Sequence, residues 1–359
     1  MAEASENIAQ NCESAVVPAA NSILLGHEKA EKVLLDAWKN NSLHNSWLIS
    51  GMEGIGKATL AYRFARFLLA ADESRRADYQ SLNVDVNSQV FRLVATDAHP
   101  DLKILARDYT DTERRKILKA IQSGEAMSQD ELSGLKKSAF IRVDDVRTIS
   151  EFLSKKSSHD GWRVVIVDSI DDMNSASANA ILKILEEPPY KAMMILISHN
   201  PNRLLATIKS RCSKLNLEPL DENVVASLLR RYRPQLGEGE VKALAQISSG
   251  SIGKAIVYAD QNALEIYQNL HDLLKCGGKF KLSDMLRFCD DALLNDARFD
   301  LVQELVLKYI SEQIKLFSQV ENMLEVWEKT IKMFDDVSRI NMDKKQTLLN
   351  VLFSLCKVS

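Results

Sequence analysis

Cysteine is scarce and scattered in this chain. The five, Cys12, Cys212, Cys276, Cys289 and Cys356, include no CxxC pair. That spacing suggests neither a zinc site nor a disulfide framework, and it fits reduced thiols in a cytoplasmic setting. No apolar run of about 18 residues occurs, so no transmembrane helix and no membrane partner are expected. A basic surplus is missing too: 46 Lys and Arg stand against 49 Asp and Glu, a formal net charge of −3. A protein that held DNA alone through phosphate contacts would usually be more basic, so any DNA role is shared with partners or confined to a patch. The first residues carry Glu3, Glu6 and Glu13 and no basic n-region. They read as a polar lead-in, disordered over 1–20, and not as a signal peptide.

What is present fills a globular chain of two or three domains: 359 residues, 46% hydrophobic and 26% charged. Helical spacing of Ala30, Val33, Leu34 and Ala37 predicts a helix over 28–39. A short apolar run follows at 46–50, then glycines, then a helix from Lys57 to about Ala71. Residues 72–140 are less regular and strongly charged in both signs; 111–119 can be helical, and 122–137 reads as a solvated excursion. A helix over 143–155 leads to the apolar strand Arg163–Asp168. A helix over 175–187, closed by Pro188 and Pro189, leads to a second apolar strand at 193–198, whose Met193 and Met194 are core. Apolar strands alternating with helices predict an α/β fold with a parallel sheet covered on both faces. Past Pro219 only helical patterns remain, with breaks at Gly237, Gly239, Gly250 and Gly253.

Gly51-Met52-Glu53-Gly54-Ile55-Gly56-Lys57 matches G-x-x-x-x-G-K. Glycines there let backbone N–H groups surround phosphate oxygens, and the lysine adds a charge near the terminal phosphates. At average glycine usage of about 7%, roughly 0.1 such matches arise by chance in a chain this long. The setting between an apolar strand and an amphipathic helix supplies the rest of the case. The next residue, where Ser or Thr would hold Mg²⁺, is Ala58. Thr59 lies about 100° further round the helix, so it is no simple substitute, although its hydroxyl can meet an inner phosphate. Asp168 ends an apolar strand, as the metal-side aspartate of a P-loop enzyme does. Two losses thus point the same way once the following position is counted, because Ser169 stands where a water-orienting glutamate is expected. The pattern predicts phosphate binding with weak metal retention: ATP or ADP at a degenerate loop, Mg²⁺ poorly held, and no zinc.

Several stretches resemble one family. Gly26-His27-Glu28 and Leu43-His44-Asn45-Ser46-Trp47-Leu48 look like the opening of bacterial clamp-loader AAA+ subunits. His99-Pro100-Asp101-Leu102 resembles the HPDL stretch of their delta-prime branch, and Ile141–Arg147 resembles the segment that opens the next helix. Most specific is Asn179-Ala180-Ile181-Leu182-Lys183-Ile184-Leu185-Glu186-Glu187-Pro188-Pro189, similar to NALLKxLEEPP. Ser210-Arg211-Cys212 resembles the SRC motif, and Gly250–Ala255 resembles the GSxGRA lid motif. The likeness runs from about 24 to 260. Beyond it the chain offers helicity and a weak match at Asp343–Gln346.

The resemblance implies a RecA-like AAA+ core over 21–218, with 72–140 as a charged excursion, then a helical lid over 219–261 and a helical collar over 262–359. It implies a component of the DNA polymerase III holoenzyme that is not catalytic alone. Its partners would be the gamma/tau and delta subunits of a hetero-pentamer, with the sliding clamp and primed DNA reached through the assembly. Gly51, Gly54, Ile55, Gly56, Lys57, Ala58, Thr59, Asp168 and Lys254 would line the nucleotide site, and Arg211 would be the arginine supplied to a neighbour's ATP. Two departures stand out. The four-cysteine zinc module of many such subunits is absent or replaced, since no cysteine lies between 12 and 212. Lys254 occupies the place of the lid arginine and lacks its bidentate fork. Lys183, Glu186 and Glu187 would be exposed, either as a solvated face or, the favoured reading, as a surface between subunits, while His44, His99 and His199 read as structural. An independently active AAA+ ATPase is the alternative; a P-loop kinase is disfavoured by the long helical C-terminal third.

Overall fold

The computed structural model describes residues 17–110, 112–113, 115–117, 138–155, 157, 161–275, 281–316 and 320–356. These residues form two compact units, one running to Leu228 and including Gly250–Gly253, the other made of Leu229–Ser249 and the chain from Lys254 onward.

In the first unit, α1 (Glu28–Lys39) precedes β1 (Ser46–Ser50) and α2 (Lys57–Ala70). Then come α3 (Gln89–Ala95), β2 (Leu102–Ala106), α4 (Val143–Ser154) and β3 (Arg163–Asp168). They are followed by α5 (Ser175–Glu186), β4 (Ala192–Ser198), α6 (Ala206–Lys209) and β5 (Ser213–Asn216). The five strands pair in the order β2-β3-β4-β1-β5, and every pairing is parallel. Side chains alternate across this sheet. Trp47, Ile49, Val164, Ile166, Met193, Ile195 and Ile197 meet α1 and α2 on one face. Leu48, Val165, Val167, Met194 and Leu196 meet α4, α5 and α6 on the other. A sheet buried on both faces explains why β1, β3 and β4 read as unbroken apolar runs.

The edge strands were not legible as strands. Part of 72–110 joins the packed core instead of forming a charged excursion: α3 buries Phe91 and Val94, and β2 pairs along its whole length with β3. Lys103 interrupts the apolar pattern because an edge strand is covered less completely, and β5 is only four residues long with Lys214 and Asn216 exposed. Asp101, at the entrance to β2, is buried and pairs with Arg163 at 3.5 Å. The HPDL stretch is thus a joint between two strands. The helix expected over 111–119 and the excursion over 122–137 lie largely outside the described residues.

The expected lead-in divides as well. Residues 1–16 are outside the described residues, whereas 17–20 form a turn, with Ala20 N donating to Val17 O at 3.0 Å. Arg66 on α2, 2% exposed, donates to Ala19 O at 2.6 Å and Asn21 O at 2.7 Å, and its guanidinium lies 4.5 Å from the Phe91 ring. Arg63 donates to Ser22 O at 2.7 Å and pairs with Glu31. A buried guanidinium needs acceptors, and the chain before α1 provides its carbonyls.

The second unit takes in the end of α7 (Glu222–Tyr232), then α8 (Glu238–Ile247), α9 (Ile252–Asp260), α10 (Ala263–Lys275), α11 (Leu282–Ala292), α12 (Asp296–Leu316), α13 (Val320–Ile340) and α14 (Lys344–Cys356). Phe299 and Phe334 meet edge to face at 6.5 Å, and Leu305, Ile310, Leu348, Val351 and Leu352 are buried around them. Arg233, buried at the end of α7, holds Asp260 through two hydrogen bonds of 2.7 Å. No helix among the described residues is long and apolar enough to cross a membrane.

Replacing Arg66 with Ala should cost about 2–4 kcal/mol in urea unfolding, because two carbonyls lose a charged donor and a buried volume empties. A cost under about 0.5 kcal/mol, the level of an ordinary surface change, would show that the N-terminal turn does not depend on it.

Candidate functional site

The glycine loop leaves the C-terminal end of β1 and enters α2, and its backbone needs glycine: Gly51, Gly54 and Gly56 have φ of 145°, 76° and 105°. A Cβ on Gly51 would stand 2.5 Å from Leu217 O, and one on Gly54 would strike Ser251. Six consecutive carbonyls of this loop accept hydrogen bonds. Lys57 Nζ donates to Gly51 O at 2.7 Å and Met52 O at 2.6 Å. Ser251 Oγ donates to Glu53 O at 2.8 Å, and Gly253 N donates to Gly54 O at 2.9 Å. His27 Nε2 donates to Ile55 O at 2.7 Å, and Leu60 N opens the helix by donating to Gly56 O at 3.0 Å. No backbone N–H from Met52 to Lys57 donates to a protein acceptor among the described residues. Carbonyls engaged on one side and donors left on the other make an anion cradle at a helix N-terminus.

Lys57 is 3% exposed. Burial pushes its ammonium down to about 8, against the pull of Glu53, Asp168 and Asp171. The loop carbonyls hold it, and a phosphate oxygen is the kind of partner it could take in addition. Metal ligands are poorer. Ala58 offers no oxygen, Thr59 is half-buried one position further on, and burial raises the Asp168 carboxyl above its ordinary value despite His199 and Lys57. The residues present fit the phosphates of a nucleotide and fit a coordinated Mg²⁺ badly.

Asp171, which no motif marks, organises the ends of β3 and β4. Its carboxylate accepts from Ser169 Oγ at 2.8 Å, Ser198 Oγ at 2.9 Å and His199 N at 2.5 Å. Burial would raise this carboxyl, but these donors, together with the backbone at Asn200, outweigh it and hold it below its ordinary value. Ser169, buried at the position where a water-orienting glutamate is expected, is therefore committed to Asp171. In the motif stretches, Ile141 N bonds Asp172 O and Ser177 Oγ bonds Ile141 O at 2.7 Å, so these residues tie α4, β3 and α5 together. His44 and His99 each make short-range contacts with their own turns.

Arg211 is not near the loop of its own chain. It lies two residues before β5, whose Ser213 pairs with Trp47 at the start of β1, whereas the loop follows Ser50 at the end of β1. The strand between them separates the two by roughly 15 Å along a shared direction. The guanidinium is about one-third exposed, pairs with Glu186 at 2.7 Å and donates to Thr207 O at 2.9 Å. On α5, Ala178, Ile181, Ile184 and Leu185 are buried and Ala180 is partly so, while Lys183, Glu186 and Glu187 are exposed. Lys254 belongs to the second unit, where it pairs with Glu304 of α12.

The family model described as "DNA polymerase III, delta subunit" matches residues 26–221. The DNA polymerase III subunit delta' of Pseudomonas aeruginosa is 31% identical over 209 residues, which is 58% of this chain and 53% of that protein. Its counterpart in Escherichia coli is 28% identical over 213 residues, 59% of this chain and 54% of that protein. The subunit tau/gamma of Haemophilus influenzae is 26% identical over 242 residues, 66% of this chain and 30% of that protein. The matched part therefore spans between about a third and about half of these relatives. Among solved structures, a gamma subunit-related protein of Thermotoga maritima has a TM-score of 0.43 at 18% identity, covering 90% of this chain and 99% of that one.

Lys57 sets a pH dependence. Its folded-state pKa, about 8, lies below the unfolded value of 10.5, so between those values the folded chain binds fewer protons and stability from this group rises with pH. Between pH 7.5 and 9.5 the wild type should gain on the order of 1–2 kcal/mol relative to Lys57→Met in urea unfolding. Parallel pH curves for the two proteins would show that the lysine is not depressed.

Proposed function

The chain belongs to the DNA polymerase III delta-subunit family, and from that premise we propose that it is the delta-prime subunit of a replicative clamp loader, lending an arginine to a neighbouring ATPase while its own hydrolysis is lost. The observation that carries this reading is the opposed placement of loop and arginine, at opposite ends of the parallel pair β1 and β5. A guanidinium that cannot serve its own loop can serve a neighbour's if subunits meet head to tail, the arrangement that generates rings.

The chemistry follows from phosphoryl transfer, which accumulates charge on the equatorial phosphate oxygens. A guanidinium placed there stabilises that charge and can raise the rate by about 10³-fold or more. Supplied in trans, it makes turnover depend on assembly. The chain's own loop retains what binds phosphate, namely the glycine cradle and Lys57, and Thr59 can reach an inner phosphate. It lacks what supports hydrolysis, since Ala58 and Ser169 replace the metal-side hydroxyl and the water-orienting carboxylate. A bound ATP or ADP would supply its phosphates to Gly54, Ile55, Gly56 and Lys57. The partners on this reading are gamma/tau and delta subunits in a hetero-pentamer, with the sliding clamp and primed DNA reached through the assembly in the cytoplasm.

The tau/gamma relatives raise a second reading, an independently active ATPase. Ala58 and Ser169 weigh against it, because both changes remove oxygen atoms that hydrolysis uses.

Reconstitution with the partner subunits and the clamp tests the proposal. Arg211→Ala should leave assembly intact and lower DNA-stimulated ATP turnover and clamp loading at least several-fold. Unchanged turnover in a fully assembled complex would reduce Arg211 to a surface residue.

A further inference from the structure

The partner of Arg211 is the unexplained feature of this surface. Glu186 is the last residue of α5 and Glu187 follows it. Two carboxylates at a helix C-terminus face the negative end of the helix dipole, so neither has a local electrostatic reason to be there. Glu186 finds its counter-charge on Arg211, at 2.7 Å, and Arg211 in turn donates to Thr207 O in α6. Both partners are substantially exposed, at 34% and 47%. Ion pairs of this kind are weak and exchange readily. A cleft of about 650 Å³ adjoins them, lined by Asn45, Ser46, Leu185, Pro188 and the pair itself. The guanidinium therefore has room to leave its partner without disturbing buried side chains.

We propose that Glu186 is a positioning residue that stores Arg211, and that a neighbouring subunit's terminal phosphate takes the arginine from it. This rests on the reading of Arg211 as an arginine given in trans. A carboxylate and a phosphate oxygen compete for the same fork of N–H donors, and the phosphate, with more negative charge, is the stronger acceptor. Glu186 therefore opposes engagement by holding the guanidinium back, which sets a threshold that only a well-formed interface passes. The weakness of the exposed pair is what allows the threshold to be crossed.

The test uses the reconstituted complex without DNA, with ATP turnover measured over a range of ATP concentrations. Glu186→Gln, which removes the charge and keeps the shape, should raise the basal rate about two- to five-fold, the range that an exposed ion pair can contribute. Glu186→Asp should return the rate towards wild type. In an Arg211→Ala background, Glu186→Gln should change nothing, since there is no arginine to release. If Glu186→Gln leaves basal turnover unchanged or lowers it while Arg211→Ala remains several-fold defective, storage is wrong and the arginine reading survives. If Arg211→Ala has no effect, that reading and the storage built on it both fall. Melting curves of the free variants check folding, which an exposed Glu-to-Gln change should leave intact.

Discussion

A buried lysine ammonium in a glycine loop is costly unless every surrounding group is arranged for it, and Lys57 is arranged for. Its two acceptors are carbonyls of the same loop, and those carbonyls point inward to it because Gly51 and Gly54 adopt backbone angles that other residues rarely take. His27, Ser251 and Gly253 fix the next three carbonyls. The loop is thus held from residues 27, 57 and 250–253, contributed by distant parts of the first unit. What remains facing out of the loop is a row of backbone donors. The proposed phosphate recognition would follow from how these carbonyls are satisfied.

The same sheet keeps the loop and Arg211 apart. All five strands run parallel, so segments that precede strands and segments that follow them collect at opposite ends. The loop and Asp168 follow strands, whereas Arg211 precedes one. Asp171, with Ser169 and Ser198, shapes the loop end, and Glu186 shapes the arginine end. The glycine loop thus lies at one end of this sheet and a guanidinium at the other, the placement from which the proposed role in a series of subunits is argued.

Much of this was legible in residue order. The central strands β1, β3 and β4 announce themselves because burial on both faces demands continuous apolar sequence. Helix α5 was placed to within one residue, since Pro188 and Pro189 stop it. Edge strands β2 and β5 escaped because half-covered strands tolerate Lys103 and Lys214. The glycine loop was visible as spacing, but its hydrogen-bond closure was not, because Ser251 lies about two hundred positions from Glu53. No pattern in the sequence marks Arg66, because only the fold brings the Ala19 and Asn21 carbonyls to it. Asp171 sits in a polar run where nothing distinguishes it from Asp172. The partner of Arg211 was equally hidden, since Glu186 was read only as part of an exposed face.

A loop that keeps phosphate chemistry and has lost hydrolysis is the central proposal. The measurement to make is ATP binding and turnover by the isolated chain, with and without Mg²⁺. Binding that depends little on Mg²⁺, weakens in Lys57→Ala and is followed by no turnover above background is the predicted result. Mg²⁺-dependent turnover by the chain alone, abolished in Lys57→Ala, would contradict it and make this protein an ATPase in its own right.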